Sequence, residues 1–217
     1  HLTCHPRGWL ASSPIKSASG DATTQFEYDH RGQVTSITRP DGSELHYEYD
    51  AAHRVTAISN GLGERIDYTL DAEGNRATET VKSASGTIIR TQTRTFDSLS
   101  RLLTHVGASS QTTTTAYDAN GNTISITDPL TNATQQAFDA LNRLVKVTDP
   151  LSGEAEYAYN GQGQLTSVTD QRHLTTTYTY NGFGDVIQLN SPDTGTTTYI
   201  VDVAGNRTQQ TDARGIV

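Results

Sequence analysis

The side chains with the most chemical potential in this 217-residue sequence are carboxylates and amides that recur at a fixed spacing. Asp or Asn follows an aromatic residue about every 21 residues, as at Asp29, Asp50 and Asn160. Repeated carboxylates bind calcium in some repeat architectures. Carboxylates 21 residues apart would lie about two strands, or about 10 Å, from each other, which is too far for shared coordination. We therefore interpret the column as turn residues and expect no metal site and no cofactor.

Other groups that could perform catalysis also lack the spacing that their chemistry needs. The seven histidines show no HxH or HExxH pattern. Cys4 is the single cysteine, so an internal disulfide is excluded, and we expect it to be a small buried hydrophobic residue rather than a nucleophile. Trp9 and Phe183 are expected to pack against local corners. The sequence therefore predicts no catalytic residues and a chain that is not itself an enzyme.

Composition argues against a membrane-spanning protein and a nucleic-acid-binding protein, and it raises the question of whether the chain is disordered. No apolar run reaches the roughly 18 residues of a spanning helix. At a net charge of -8 the basic residues form no patch for a phosphate backbone. We expect neither a nucleic-acid partner nor a membrane span in this segment. With only 33% hydrophobic residues the chain could be disordered, unless those residues occupy regular positions.

The positions are regular, because the sequence divides into ten rows that start near residues 4, 28, 49, 70, 96, 117, 138, 159, 180 and 201. From residue 28 onwards the step is 21 residues, except for one row of 26. Position 1 of a row is mostly aromatic, position 2 is Asp or Asn, and position 5 is often Gly. We predict that these are structural repeat positions: Tyr28, Asp29, Gly32, Tyr49, Asp50, Phe96, Asp97, Tyr117, Asp118, Gly121, Phe138, Asp139, Tyr159, Asn160, Gly163, Tyr180, Asn181 and Gly184.

Each row contains two reversals of the chain. Asp or Asn closes an Asx-turn and Gly accepts a positive φ, so positions 2 to 5 form the first corner. A second corner follows at proline-containing segments such as 39–42 and 191–195. Two corners leave two strands of about six residues. Apolar residues at positions 7 and 10, such as Val34 and Ile37, cannot share a face of a regular strand, so either a bulge or a later strand start is required.

The fold class predicted is all-β, with tandem β-hairpins in one long, curled antiparallel sheet. Residues 1–217 would form a single array of about twenty strands. Open twisted sheets rarely exceed about ten strands without curling, so the array is expected to bend around a hollow. A thin layer of aromatic side chains would then replace a globular core.

The motifs Tyr28-Asp29-x-x-Gly32, Tyr117-Asp118-Ala-Asn-Gly121 and Phe138-Asp139 resemble the YD-repeat, or rearrangement-hotspot (Rhs), family. That family includes bacterial polymorphic toxins delivered by contractile secretion systems, C components of insecticidal toxin complexes, wall-associated toxins and teneurin adhesion receptors. The resemblance implies a hollow shell that encloses a C-terminal toxin. The implied partners are the remaining shell segments, the enclosed toxin domain, and a secretion-system spike or a chaperone.

The same resemblance implies a bacterial protein that is made in the cytoplasm and then secreted or delivered to a target cell, for example by type VI secretion during bacterial competition. We expect the chain to be a fragment of a larger protein, without caps and without the toxin domain. The segment Asp149-Pro150-Leu151-Ser152-Gly153 is superficially similar to the DPxGL cleavage motif of bacterial members, but its place at a second corner indicates a turn. The alternative function is an extracellular carbohydrate-binding or cell-adhesion surface.

Overall fold

The computed structural model describes residues 3–17 and 20–217. It confirms the predicted all-β class, because the described residues form twenty strands and no helix. Within those same residues no helix is long and apolar enough to cross a membrane. The chain divides into two compact units, His1–Thr113 and Thr114–Val217. That residues 1–217 form a single array stays a prediction.

The first unit is an antiparallel meander in which each strand pairs with the next along the chain. Its strands are β1 (Thr3–Cys4), β2 (Leu10–Ser17), β3 (Gly20–Tyr28), β4 (Val34–Thr38), β5 (Glu44–Tyr49), β6 (Val55–Asn60), β7 (Arg65–Leu70), β8 (Arg76–Lys82), β9 (Ile88–Phe96) and β10 (Leu102–Val106). The row of 26 residues accommodates its extra residues by lengthening the β8–β9 hairpin.

The second unit repeats the same meander with more uniform strands. Its strands are β11 (Thr112–Tyr117), which begins two residues before the boundary, β12 (Thr123–Thr127), β13 (Ala133–Phe138), β14 (Leu144–Thr148), β15 (Glu154–Tyr159), β16 (Leu165–Thr169), β17 (Thr175–Tyr180), β18 (Val186–Ser191), β19 (Gly195–Val201) and β20 (Arg207–Thr211). Strands of five to seven residues agree with the predicted length of about six.

Strand composition explains why these segments are extended and which face they cover. In β17, Thr175–Tyr180, exposed threonines alternate with half-buried Thr176, Tyr178 and Tyr180. Branched and aromatic side chains suit a pleated, half-buried surface. Because side chains alternate along a strand, the aromatic residues at position 1 and two residues earlier lie on one face of the sheet.

A β-bulge sits in every row beside the first corner. Tyr28 pairs with Val34, whereas Glu27 pairs with Ser36, so Thr35 is an extra residue on its strand. The pairing shifts in the same way in the other nine rows. Of the two explanations left open by the sequence, the bulge is confirmed, and it brings Val34 and Ile37 to the same face.

In most rows both corners have the same backbone geometry, whereas at 191–195 the positive φ falls at Gly195, one residue later. At the first corner the Asp29 amide donates to the Gln33 carbonyl at 2.9 Å, and the Gly32 amide donates to the Asp29 carbonyl at 3.2 Å. At a second corner the Asp149 amide donates to the Gly153 carbonyl at 2.9 Å. The segment 149–153 is therefore an ordinary hairpin turn, as predicted.

The aromatic face is half-buried rather than a closed core. Among the described residues no large side chain is fully buried, and the buried apolar residues are Ala57 and Tyr68. A single sheet leaves one side of each ring open, which explains the low hydrophobic fraction. Two expectations are wrong: Cys4 is exposed because it lies in a two-residue edge strand, and Phe183 is 96% exposed because position 4 of a corner points away from the sheet.

Candidate functional site

The first corners carry most of the predicted repeat residues, and the position 2 side chain organises each of them. Asp29 Oδ1 accepts hydrogen bonds from the Arg31 and Gln33 amides at 2.8 and 2.9 Å. Asn160 Oδ1 makes the equivalent pair, at 3.0 Å each, with Gln162 and Gln164. Asp and Asn are therefore interchangeable in this turn. The same pattern recurs at Asp50, Asp97, Asp118, Asp139 and Asn181.

In four of these rows the second carboxylate oxygen of the aspartate is bound within the same row. In the rows of Asp50, Asp97 and Asp139 it accepts from the Nε of an arginine four residues later, at 2.7 to 2.8 Å. In the row of Asp118 it accepts from Asn122 Nδ2 at 2.8 Å. Both oxygens thus face donors of their own corner, which supports a turn role. Among the described residues no group of three or more metal-ligating side chains comes together.

These hydrogen bonds lower the pKa of the corner aspartates. For Asp50 the largest cause is the Arg54 amide, and the Arg54 guanidinium adds to it. The same causes act on Asp139, whose pKa is lowered first by the Arg143 amide. The Asn122 side chain is the first cause of the lowered pKa of Asp118. The folded corners therefore hold these carboxylates in the charged form.

Position 5 of the corner is in the left-handed region of backbone space. Gly32, Gly121, Gly163 and Gly184 have φ values between +83° and +96° there. Three rows place His53, Ser100 and Asn142 at this position with φ of 60° to 66°. Glycine adopts this positive φ without steric cost, and the three exceptions need a compensating contact.

The tyrosines of position 1 connect each row to the one before it. The Tyr159 hydroxyl donates to the Leu144 carbonyl at 2.9 Å, and the Tyr180 hydroxyl donates to the Leu165 carbonyl at 2.7 Å. In each case the acceptor is position 7 of the preceding row, beside its bulge. Tyr28 and Tyr49 make the same contact with Leu10 and Val34 at 2.8 Å. Phe96 and Phe138 occupy the same column without a hydroxyl.

Contacts between arginine side chains and tyrosine rings were not predicted from the sequence. Arginines cover tyrosine rings on the aromatic face: the Arg143 guanidinium lies 4.6 Å from the Tyr159 ring centre, and Arg76 and Arg207 lie 4.1 Å from Tyr68 and Tyr199. These arginines follow the corner at positions 6 and 7. If the rows are written one below another, arginine recurs at positions 6 and 7, and this recurrence is the sequence signal that could have predicted the contacts with tyrosine rings.

A charged network lies across neighbouring strands of the first unit, on the face opposite the aromatic residues. Arg65 pairs with both carboxylate oxygens of Glu48 and donates from Nε to Asp67 at 2.6 Å. Lys82 Nζ lies 2.8 Å from Asp67 Oδ2. Burial opposes ionisation of Asp67, but Lys82 and Arg65 outweigh it and lower its pKa. This network ties β5, β7 and β8 together.

The repeat model that matches this sequence decides its family. The model of the RHS repeat matches residues 5–44, 28–65, 49–88, 117–154 and 159–196, which together cover most of the chain. The chain belongs to the RHS repeat family. No curated protein sequence matches this RHS repeat chain.

Solved structures with a similar fold are assemblies that contain TccC3. The crystal structure of TcdB2-TccC3 aligns with a TM-score of 0.55 at 12% identity, over 95% of this RHS repeat chain and 17% of that chain. TcdB2-TccC3 without its hypervariable C-terminal region gives 0.54 at 12% identity, over 95% and 16%. A Tc holotoxin pore from Photorhabdus luminescens gives 0.56 at 13%, over 95% and 13%. The chain thus has their fold and spans less than a fifth of their length.

Proposed function

We propose that this RHS repeat chain is a wall segment of a shell that encloses a toxin domain of the same polypeptide and keeps it inactive until delivery. The chain itself has a structural role and no catalytic activity. The observation that carries the proposal is the direction of the stabilising contacts. We use the term tyrosine clamp for the hydrogen bond from a position 1 tyrosine hydroxyl to the position 7 carbonyl of the preceding row, as from Tyr159 to Leu144. These clamps and the hydrogen bonds between corners join rows to their neighbours along a one-layer sheet. Such contacts extend a surface, whereas a globular enzyme buries a core.

Two further observations support a wall rather than an enzyme. The open aromatic face buries no large side chain completely among the described residues, so the sheet has area but little interior. One structural neighbour was solved without a hypervariable C-terminal region, which is the arrangement expected when a wall of constant fold carries variable cargo. The partners proposed for this chain are therefore the other wall segments and the cargo that follows them.

Electron microscopy and limited proteolysis of the full-length protein test this proposal together. We expect a hollow particle in which the C-terminal segment resists protease. Tyr159→Ala should open the wall locally and expose the cargo to cleavage, because it removes the clamp on Leu144. Phe183→Ser is the matched control, since its ring is exposed already. A solid particle, or equal cleavage of the cargo in both variants, would contradict the proposal.

A separate proposal concerns how the full-length protein reaches its target cell. We infer that the full-length protein is secreted or carried to a target cell, with a type VI spike or a chaperone as partner, in competition between bacteria. Deleting the gene of the full-length protein should then abolish killing of a sensitive neighbouring strain, and removal of the secretion apparatus should have the same effect. Killing that persists without the apparatus would rule out this route and would leave the wall proposal standing.

A carbohydrate-binding or adhesive surface is the second candidate, and one cleft favours it. A cavity of about 300 Å³ is lined by His5, Trp9, Tyr28 and His30, with the Trp9 and Tyr28 rings 5.4 Å apart. Aromatic rings beside polar groups can stack on sugars. However, the Arg7 guanidinium already lies 5.4 Å from the Trp9 ring centre. A glycan array with binding lost in Trp9→Ala would establish this candidate, and an array without binding would remove it.

A further inference from the structure

In eight rows the residue at position 6 reaches across to position 5 of the next row. We call position 6 the bridging position and position 5 the left-handed position. The contact recurs four times in each unit, although the residues involved differ greatly in size and chemistry. The pairs are Trp9 with Gly32, Gln33 with His53, Arg54 with Gly74, Asn75 with Ser100, Asn122 with Asn142, Arg143 with Gly163, Gln164 with Gly184 and Asp185 with Gly205.

In the first class of pair, the left-handed position is Gly and the bridging side chain fills the space above it. A Cβ on Gly32 would lie 2.8 Å from Trp9 Cζ2, and a Cβ on Gly184 would lie 3.0 Å from Gln164 Nε2. At Gly32 the covering atom belongs to a rigid ring, so an additional side chain would have to displace Trp9, whereas the flexible end of Gln164 would have to move only slightly at Gly184. At Gly74, Gly205 and Gly163 the nearest bridging atom would lie 3.3, 3.5 and 4.0 Å from a Cβ. Glycine is needed at these corners first for its positive φ, and the bridging side chain then lies over it.

In the second class, the left-handed position carries a polar side chain and the bridging residue bonds to it. Asn122 Nδ2 donates to Asn142 Oδ1 at 2.8 Å, and Asn75 Nδ2 donates to Ser100 Oγ at 3.1 Å. His53 Nδ1 lies 2.9 Å from Gln33 Oε1. A non-glycine residue at positive φ is strained, so this bond supplies the compensation that the corner requires.

We propose that the bridging and left-handed positions form a matched pair that stabilises the stacking of each row on the next. Asn75 and Asn122, which carry short amides, precede rows with a polar left-handed residue, whereas Trp9, Arg54, Arg143 and Gln164 precede rows with Gly. Length alone does not set the pairing, because Gln33 precedes His53 and bonds to it, and the short Asp185 precedes Gly205. The pair acts in addition to the tyrosine clamp. This inference concerns the stacking of successive rows and does not depend on whether the protein encloses a toxin.

A double-mutant cycle at Gln164 and Gly184 tests the matched pair in the full chain. Gly184→Asn creates strain at a positive φ and places a Cβ 3.0 Å from Gln164 Nε2, whereas Gly184→Asn with Gln164→Asn recreates the Asn122–Asn142 pair. The readout is the opening equilibrium constant of the corner, from native-state hydrogen exchange of a peptide covering residues 180–190. We expect the double variant to open about tenfold less often than the two single effects predict, which equals a coupling of about 1.4 kcal/mol.

The matched control changes the same residue type at a different position. Gln162→Asn, at position 4 of the same corner, should show no coupling to Gly184→Asn, because its exposed side chain is not at the bridging position. Backbone strain at residue 184 is common to both cycles and cancels. Equal coupling in the two cycles, or coupling below about twofold at Gln164, would overturn the proposal.

A second cycle covers the case in which Gly184→Asn does not fold. Asn142→Gly removes a strained side chain and therefore leaves the chain able to fold. Combined with Asn122→Gln, it recreates the Gln164–Gly184 pair and should again give a favourable coupling of about tenfold. Additive effects in this cycle would also overturn the proposal.

Discussion

At the scale of single residues, one hydroxyl distinguishes otherwise equivalent aromatic residues. Tyr159 and Phe138 both occupy position 1 and pair with the position 7 residue of their own row. The Tyr159 hydroxyl also reaches Leu144 of the previous row, where the bulge leaves a carbonyl available. Tyrosine is thus favoured over phenylalanine because it combines a half-buried ring with a bond between rows.

Removing that hydroxyl gives the simplest test of the clamp. Tyr159→Phe should destabilise the row by about 1 kcal/mol, because the Leu144 carbonyl loses a protein donor while the ring keeps its packing. The measurement is the shift in urea midpoint at constant slope. Tyr157→Phe is the control on the same strand and face, since among the described residues the Tyr157 hydroxyl makes no carbonyl contact of this kind. Equal shifts for the two variants would argue against the clamp.

The corner aspartates predict how stability depends on acid. Their pKa values are lowered in the folded state from an ordinary value near 3.8, so the unfolded chain binds more protons in that range. Stability should therefore be fully present above pH about 5 and be lost as the pH falls through the lowered values. Replacing Asp50, Asp97 and Asp139 together by Asn keeps the Asx-turns but removes the ion pairs with arginine.

We expect this triple variant to be less stable than the native chain at neutral pH and to converge with it in acid. Unfolding free energies measured by urea between about pH 2 and pH 7 should show a smaller pH slope for the variant. The native Asn160 and Asn181 corners show that the turn itself does not need the charge. Parallel slopes for the two proteins would mean that the carboxylates are not stabilised by folding.

At the scale of the hairpin, the bulge explains how positions 7 and 10 serve one face. Leu165 pairs with Tyr159 and Ser167 pairs with Ala158, which leaves Thr166 as the additional residue. If Thr166 were an ordinary strand residue instead of a bulge, the side-chain alternation would place Leu165 and Val168 on opposite faces. The bulge also sets the position 7 carbonyl where the next tyrosine can reach it, so register and clamp depend on the same residue.

Deleting Thr166 should therefore weaken the tyrosine clamp and leave the facing of the side chains intact. The deletion leaves Leu165 and Val168 two residues apart on one face, but it removes the bulge beside the Leu165 carbonyl that accepts from the Tyr180 hydroxyl, so we expect a loss of about 1 kcal/mol. A lower urea midpoint measures this loss. Thr166→Ser keeps the extra residue and should stay close to the native value. A deletion that leaves the midpoint unchanged would show that the bulge does not position the clamp.

The hairpins were predictable from sequence because each corner combines local signals. Asp29 with Gly32, and Pro150 between Asp149 and Gly153, specify turns through their own backbone preferences. The choice between a bulge and a later strand start was not predictable, because both satisfy the same spacing of Val34 and Ile37. The pairs between rows could not be read from one row, since Gln164 and Gly184 meet only after neighbouring rows have stacked. An alignment of the rows would reveal these pairs only if position 6 of each row were compared with position 5 of the next row.

At the scale of the whole molecule, stability is distributed among row contacts instead of being held in one core. Within each unit, successive rows are joined by strand pairing and bridging pairs, and several also by a tyrosine clamp. Proteins built in this way behave approximately as one-dimensional arrays with nearest-neighbour coupling. A low hydrophobic fraction is compatible with such an array, because each apolar side chain is shielded from solvent by the adjacent rows and no central core has to be filled.

This architecture predicts that damage stays local. Tyr159→Ala should raise hydrogen exchange in the rows that begin at residues 138, 159 and 180, while peptides from residues 28–70 keep their native protection. Exchange measured by mass spectrometry on the native protein resolves the two regions in one experiment. The reason is energetic: loss of the clamp weakens one interface directly and others only through the rows between them. Uniform loss of protection along the chain would instead show a single cooperative unit and would refute the nearest-neighbour description.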